Sequence, residues 1–173
     1  MSPEIPSIPD LLSVQDVRRT AAAIARVQEP SGAIPWFRGG HTDTWDHVEC
    51  AMALLVGGEV EAAERAYDWL FRTQRADGSW PMKITNGRTD DAGTDTNMTA
   101  YLAVGVWHHW LVRQHEAFVR RAWPVVRRAL DLVTALQLPF GGIAWAANAR
   151  GEAMDTALVA GSSSIYHALA CGV

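Results

Sequence analysis

QRADGSWP, from Gln74 to Pro81, decides how the chain folds. It closes an amphipathic helical pattern with a glutamine, places a glycine four residues later and a tryptophan two residues after that. Alone it is a helix terminus, with Gly78 supplying the positive φ that ends a helix at low steric cost. The spacing recurs, however, in QEPSGAIPW from Gln28 and QLPFGGIAW from Gln137. Gly32, Gly78 and Gly141 fill the fourth position and Ile34, Trp80 and Ile143 the sixth, while Trp36 and Trp145 stand at the eighth in the first and third copies. The copies are 46 and then 63 residues apart, which matches a two-helix repeat with variable loops.

Each glutamine follows a segment with one apolar stripe. The stripes are Val14, Val17, Ala21 and Ile24, then Val60, Ala63, Tyr67 and Leu70, then Phe118, Ala122, Val125, Ala129, Leu132 and Leu136. Pro124 should kink the third helix or mark its true start. Between these segments run VECAMALLVGG, MTAYLAVGVWHHW and SIYHALACG, apolar on every face, and a helix without a polar face must be covered all round. The pattern predicts inner helices over 45–57, 97–111 and 163–171, each more buried than the outer segment before it. The fold class is therefore all-α: an α/α toroid of helical hairpins, with about three hairpins present as a partial ring. Residues 1–12 carry three prolines and read as an extended leader, leaving 13–173 as the domain.

At 49% hydrophobic and 20% charged, the 173 residues suit one ordinary core. A net charge of -4 without a basic run argues against nucleic acid as a partner. No apolar run approaches the roughly 20 residues of a membrane span, and the N-terminus has no signal-peptide pattern, so the expected location is cytoplasmic. Cys50 and Cys171 sit in apolar runs and read as buried core thiols. Eight tryptophans are many for this length and ask for a use.

Polar groups concentrate where the chain enters the inner helices, at the mouth of the central cavity. GGHTDTWDH offers His41, Asp43, Asp46 and His47, with the two aspartates on one face of the first turn. Such carboxylates can act as acid and base or stabilise a developing cation. They can equally cap the helix and complement its dipole. Asp95 and Asn97 stand at the second entrance, where capping is again the simpler role, and Gly161 to Ser164 offer hydroxyls at the third. The candidate set is Asp43, Asp46 and Asp95 for catalysis, with His41, His47, Asn97, Trp36 and Trp145 for substrate binding. No metal and no cofactor is assigned, because four potential ligands in seven residues do not establish convergent geometry. Trp80 reads as a brace between hairpins, and Trp107 to Trp110 pack at the far end of an inner helix.

Gln74, Gly78 and Trp80 give the chain a motif that resembles the prenyltransferase and squalene oxidase repeat superfamily, the α/α toroids that include terpenoid cyclases. That resemblance implies a prenyltransferase-like or cyclase-like protein acting on an isoprenoid substrate. The Asp-x-Asp-Asp run with which such cyclases protonate their substrate is absent; TDDAGTDT is the nearest stretch. No Asp, Cys and His set matches the zinc site of protein prenyltransferases. TDTNMTAYLAVGVWHHWL, followed by FVRRAWPVVRRALDLV, looks instead like the helices of six-hairpin glycosidases such as the glucoamylase family. This second resemblance implies a sugar substrate and paired carboxylates at the starts of the inner helices. A non-catalytic helical repeat scaffold is the third alternative. Both families close rings with about twice as many hairpins, so the chain is expected to be the N-terminal part of a longer enzyme, with self-association through an exposed terminal inner helix left open.

Overall fold

The computed structural model describes residues 5–172. After a tight turn in which the Leu12 and Leu11 amides donate to the Ile8 carbonyl, the chain forms α1 (Val14–Val27), α2 (Thr44–Val56) and α3 (Val60–Thr73). Short strands β1 (Lys83–Thr85), β2 (Arg88–Asp91) and β3 (Thr94–Asp95) lead into α4 (Thr96–Ala100) and α5 (Leu102–Arg113). Then come α6 (Glu116–Ala135), β4 (Ala146–Ala147) and α7 (Val159–Cys171). The fold is all-α, an arc of three helical hairpins. Helices α1, α3 and α6 lie outside; α2, the α4–α5 pair and α7 lie inside, each inner helix packed on the next. Among the described residues no helix is long and apolar enough to cross a membrane.

The second inner helix is interrupted once, at Tyr101, which keeps helical angles (φ -64, ψ -19). Helix α6 starts at Glu116 and runs through Pro124, so the proline does not mark its start. Core side chains from both layers meet between α2, α3 and α5, where Val48, Leu54, Tyr67, Leu70, Leu102 and Phe118 are fully buried or nearly so. Gly105 permits this approach: a Cβ there would lie 2.6 Å from Val48 Cγ1, and its carbonyl accepts from the Tyr67 hydroxyl at 2.9 Å. The third inner helix departs from expectation. Only Ile165 and Ala168 of α7 are buried, fewer than in α6 before it, because α7 packs on α4 and α5 and no described helix covers its other face. It also begins four residues earlier than predicted, so Ser162 to Ser164 lie within its first turns and do not cap it. Cys50 and Cys171 are free and half-buried at the edge of the core.

The glutamine turns act as clasps. Gln28 donates from Nε2 to the carbonyl of Gly32 in its own turn (3.1 Å) and to that of Ala62 in the next outer helix (2.9 Å). Gln74 repeats this with Gly78 (3.0 Å) and Val125 (2.9 Å). Gly78, at φ +96, has no room for a Cβ, which would fall 2.3 Å from the Arg128 carbonyl oxygen. Trp80 is buried and donates its indole N–H to the Leu70 carbonyl at 3.1 Å, a bond to the outer helix of its own hairpin and not to the next one.

Candidate functional site

Backbone pairing holds the starts of the first two inner helices. Thr42 exchanges two backbone hydrogen bonds with Ile84, 2.8 and 3.0 Å, fixing the loop before α2 to the β1–β2 hairpin. The hairpin turns at Asn86 and Gly87, both at positive φ, as a two-residue type I′-like loop requires. Strands β3 and β4 pair Thr94 and Asp95 with Ala147 and Ala146, and the Thr96 hydroxyl donates to the Ala144 carbonyl at 2.7 Å, tying the start of α4 to the segment after the third glutamine turn.

Asp43 caps α2. Its Oδ1 accepts the Asp46 amide at 2.9 Å and its Oδ2 accepts the Trp36 indole N–H at 2.6 Å, so both oxygens are engaged in a nearly buried side chain. Asp46 is half-buried one turn in. Burial first, then the charge and hydrogen bond of Asp43 and the charge of Glu49, push its carboxyl up to about 6. It opens with Trp36, Pro35 and Ile34 onto a groove of about 340 Å³. His41 flanks this groove, its ring 4.7 Å from that of Trp36. On the neighbouring side Trp45 stacks on Tyr101 (centroids 3.7 Å apart), and the Tyr101 hydroxyl donates to Glu49. Burial and that carboxylate raise the phenol's pKa.

Asp95 caps α4, accepting the Met98 amide at 2.9 Å, and burial raises its carboxyl, with Asp43 adding a smaller repulsion. The three aspartates thus lie at adjacent inner-helix starts. Asn97 follows, its Oδ1 buried and without a donor among the described residues.

Two expected members fall outside this group. His47 is fully buried: Nδ1 accepts the Ile34 amide (3.1 Å) and Nε2 lies 2.9 Å from the Ala66 carbonyl, which leaves no ring nitrogen for a ligand. Burial pushes its pKa down to about 4. Trp145 lines a separate hollow of about 520 Å³ with Met82, Asp91 and Met154. Glu49, Tyr101 and Trp45 were not read from the sequence. Glu49 stands three residues beyond Asp46, a helical spacing that marks it as a neighbour of that acid. A further hollow, about 820 Å³, sits at the opposite ends of the inner helices among Arg18, Gly57 and Arg113, away from the aspartates. Among the described residues no group of three or more His, Cys, Asp or Glu side chains is arranged to hold a metal ion.

No protein-family model matches the chain. It is 52% identical over 169 residues to a protein of Mycolicibacterium hassiacum named MMP endo-(1,4)-3-O-methyl-α-D-mannosidase, a match covering 98% of this chain and 47% of that protein. The chain therefore spans about half the length of the curated relative it matches. Among solved structures, a cellobiose 2-epimerase from Bacillus thermoamylovorans superposes with a TM-score of 0.57 at 12% identity, over 88% of this chain and 50% of that one. That likeness is one of fold. Both comparisons lie on the side of the six-hairpin resemblance, and neither supports the prenyltransferase one.

Proposed function

We propose that this chain forms part of a carbohydrate-active site for an α-(1,4)-linked 3-O-methylmannose substrate, with Asp46 delivering a proton to the glycosidic oxygen. The observation that carries this reading is the Asp46 carboxyl, raised to about 6 beside the exposed indole of Trp36. A general acid works best when its pKa lies near the operating pH, and an aromatic face suits a sugar ring whose hydroxyl is capped by a methyl. The substrate class comes from the relative's name. Asp43 is hydrogen-bonded to Asp46, whereas the two working carboxyls of a glycosidase stand about 5 to 9.5 Å apart. Asp43 is thus a positioning residue that holds Trp36 and raises Asp46, and Asp95, at the start of α4, is the proposed second carboxylate. Asn97, whose amide oxygen lacks a donor, and His41 are proposed sugar-hydroxyl contacts.

A thermal-shift panel separates this reading from the isoprenoid one, because a ligand that binds only the native state raises the melting temperature. A 3-O-methylmannose α-(1,4) oligosaccharide should raise it and farnesyl diphosphate should not. A shift with the diphosphate alone would overturn the reading.

A further inference from the structure

The hollow beside Trp145 lies between two hairpin-like loops that the chain locks together from within. One runs from Met82 to Gly93, closed by a bond from the Met82 amide to the Gly93 carbonyl at 2.9 Å. The other runs from Trp145 to Thr156, closed by a bond from the Trp145 amide to the Thr156 carbonyl, also at 2.9 Å, and by the bridge between Ala147 and Ala153. Strands β3 and β4 join the two. Gly93 lets their backbones meet closely, since a Cβ there would lie 3.2 Å from the Ala147 carbonyl oxygen. Both walls are therefore the loops that enter the second and third inner helices, and paired backbone fixes the shape of the space between them.

The hollow has a volume of about 520 Å³, within the roughly 300 to 1,000 Å³ of small-molecule sites. Its apolar surface comes from the Trp145 ring and the thioethers of Met82 and Met154, and Asp91 and Glu152 supply carboxylates. Asp91 Oδ1 accepts the Gly93 amide at 2.9 Å, and Glu152 Oε2 accepts from the Asn148 and Arg150 side chains at 2.7 and 3.2 Å, so both acids are held in place. Methionine side chains adapt to irregular apolar groups, and carboxylates accept from hydroxyls. The space also adjoins the aspartates: Ala146 in its wall is the strand partner of Asp95, and the Trp145 carbonyl accepts the Thr96 amide at 3.1 Å.

We infer that this hollow is a second sugar subsite, which takes a 3-O-methylated mannose unit of an oligosaccharide whose neighbouring units lie at Asp95 and Asp46. The assignment rests on the carbohydrate reading proposed above and adds to it a place where the methyl ether is recognised. A methyl at O3 removes a hydroxyl donor and adds an apolar group. Against Trp145, Met82 and Met154 that methyl is buried without leaving a donor unpaired, whereas a free hydroxyl on the same wall loses its water and gains no acceptor. The remaining hydroxyls of the unit donate to Asp91 and Glu152.

Titration calorimetry with an α-(1,4)-linked 3-O-methylmannose hexasaccharide and its unmethylated counterpart tests this, with circular dichroism to show that each variant is folded. The wild-type chain should bind the methylated ligand about fourfold or more tighter, the worth of one buried methyl. Trp145→Ala should weaken that binding by about two- to tenfold. Met154→Gln keeps the length of the side chain but sets an amide against the methyl, so it should reduce the preference for the methylated ligand. Trp36→Ala, in the Asp46 groove, is the reference. If Trp36→Ala weakens binding and Trp145→Ala does not, the hollow is no subsite and the sugar reading stands without it. The methyl assignment is overturned by a wild-type chain with no preference, or by a preference that Met154→Gln leaves undiminished. A chain that binds neither oligosaccharide would overturn the sugar reading and this inference with it.

Discussion

The indole N–H of Trp36 lies 2.6 Å from Asp43 Oδ2, a bond from the eighth position of the first glutamine turn to the cap of α2. At the sixth position of the second turn, Trp80 is buried and donates to the Leu70 carbonyl. Moving the tryptophan by two residues therefore turns a brace into a wall of the groove, still 59% exposed but fixed by its one polar atom. Trp36→Phe removes the bond and keeps an aromatic face. It should cost about 1 kcal/mol of stability and leave sugar binding nearly intact. Trp36→Ala should weaken binding by a further 0.5 to 1.5 kcal/mol, roughly two- to tenfold. Titration calorimetry with a 3-O-methylmannose oligosaccharide checks the pair; equal affinities for the Phe and Ala variants would remove Trp36 from the sugar contacts.

The three glutamines should not be equivalent in the folded monomer. Gln74→Ala leaves the Val125 carbonyl and the Arg128 guanidinium without their partner and should destabilise the chain by about 2 kcal/mol. Gln137→Ala loses a single exposed bond and should cost less than about 0.5 kcal/mol. Urea unfolding, at concentrations where the chain is monomeric, measures the difference. Similar losses at the two sites would mean that the bonds to the receiving helix carry little of the stability.

Gly105 offers an independent check on how the layers meet. Its Cβ-less backbone lies against Val48 and accepts the Tyr67 hydroxyl, both in the interior. Gly105→Ala gains helix propensity but forces Val48 or Tyr67 to move, and overpacking of this kind costs about 1 to 3 kcal/mol. A lower urea midpoint is expected. A gain would show that α2 and α5 can separate without penalty.

The repeat made the outer and inner layers legible because it rests on local chemistry: a glycine that must adopt positive φ and stripes that report one wet face. The same local logic gave Asp43 and Asp95 as caps. It failed where the answer lay across the chain. His47 reads like a polar group at a cavity mouth, yet it points inward to the Ile34 amide and the Ala66 carbonyl, partners 13 and 19 residues away. Nothing in the local pattern separates the solvent side of that first turn from its core side. Tyr101 and Glu49, 52 residues apart, meet only because α2 and α5 pack together. The Asn-Gly dipeptide at Asn86 and Gly87 favours the I′ turn it forms, a local signal that the all-helical reading passed over, and this hairpin holds the loop carrying Asp43.

His47 should also set the acid limit of the fold. Its pKa falls from an ordinary 6.5 to about 4 because burial disfavours the charged ring. The folded state therefore binds this proton less readily than the unfolded chain does. The associated stability is fully present above pH 6.5 and is lost as pH falls toward 4, by about 3 kcal/mol. Urea midpoints at pH 7 and pH 4.5 should fall accordingly. A His47→Gln variant should be less stable at pH 7, but its midpoint should change much less between the two pH values; an undiminished pH dependence would assign the acid sensitivity to another group.

Asp46 behaves in the opposite sense. Its carboxyl, raised from 3.8 to about 6, is favoured in the protonated form when folded. Its contribution is complete below about pH 3.8 and is lost as pH rises through 6. In its proposed role as proton donor it must hold its proton, so turnover of a 3-O-methylmannose oligosaccharide is then expected to decline as pH rises through about 6. Asp46→Asn should lower turnover by about 10² to 10⁴ while raising the urea midpoint at pH 7.5, since the amide removes a carboxylate that the groove disfavours. Asp43→Asn separates position from charge. Asparagine caps a helix nearly as well as aspartate, so α2 should stay capped, but the negative charge beside Asp46 disappears and the alkaline limb of the activity profile should move to lower pH. A limb that stays in place in Asp43→Asn, or an Asp46→Asn variant with unchanged turnover, would take the proton-donor role away from Asp46.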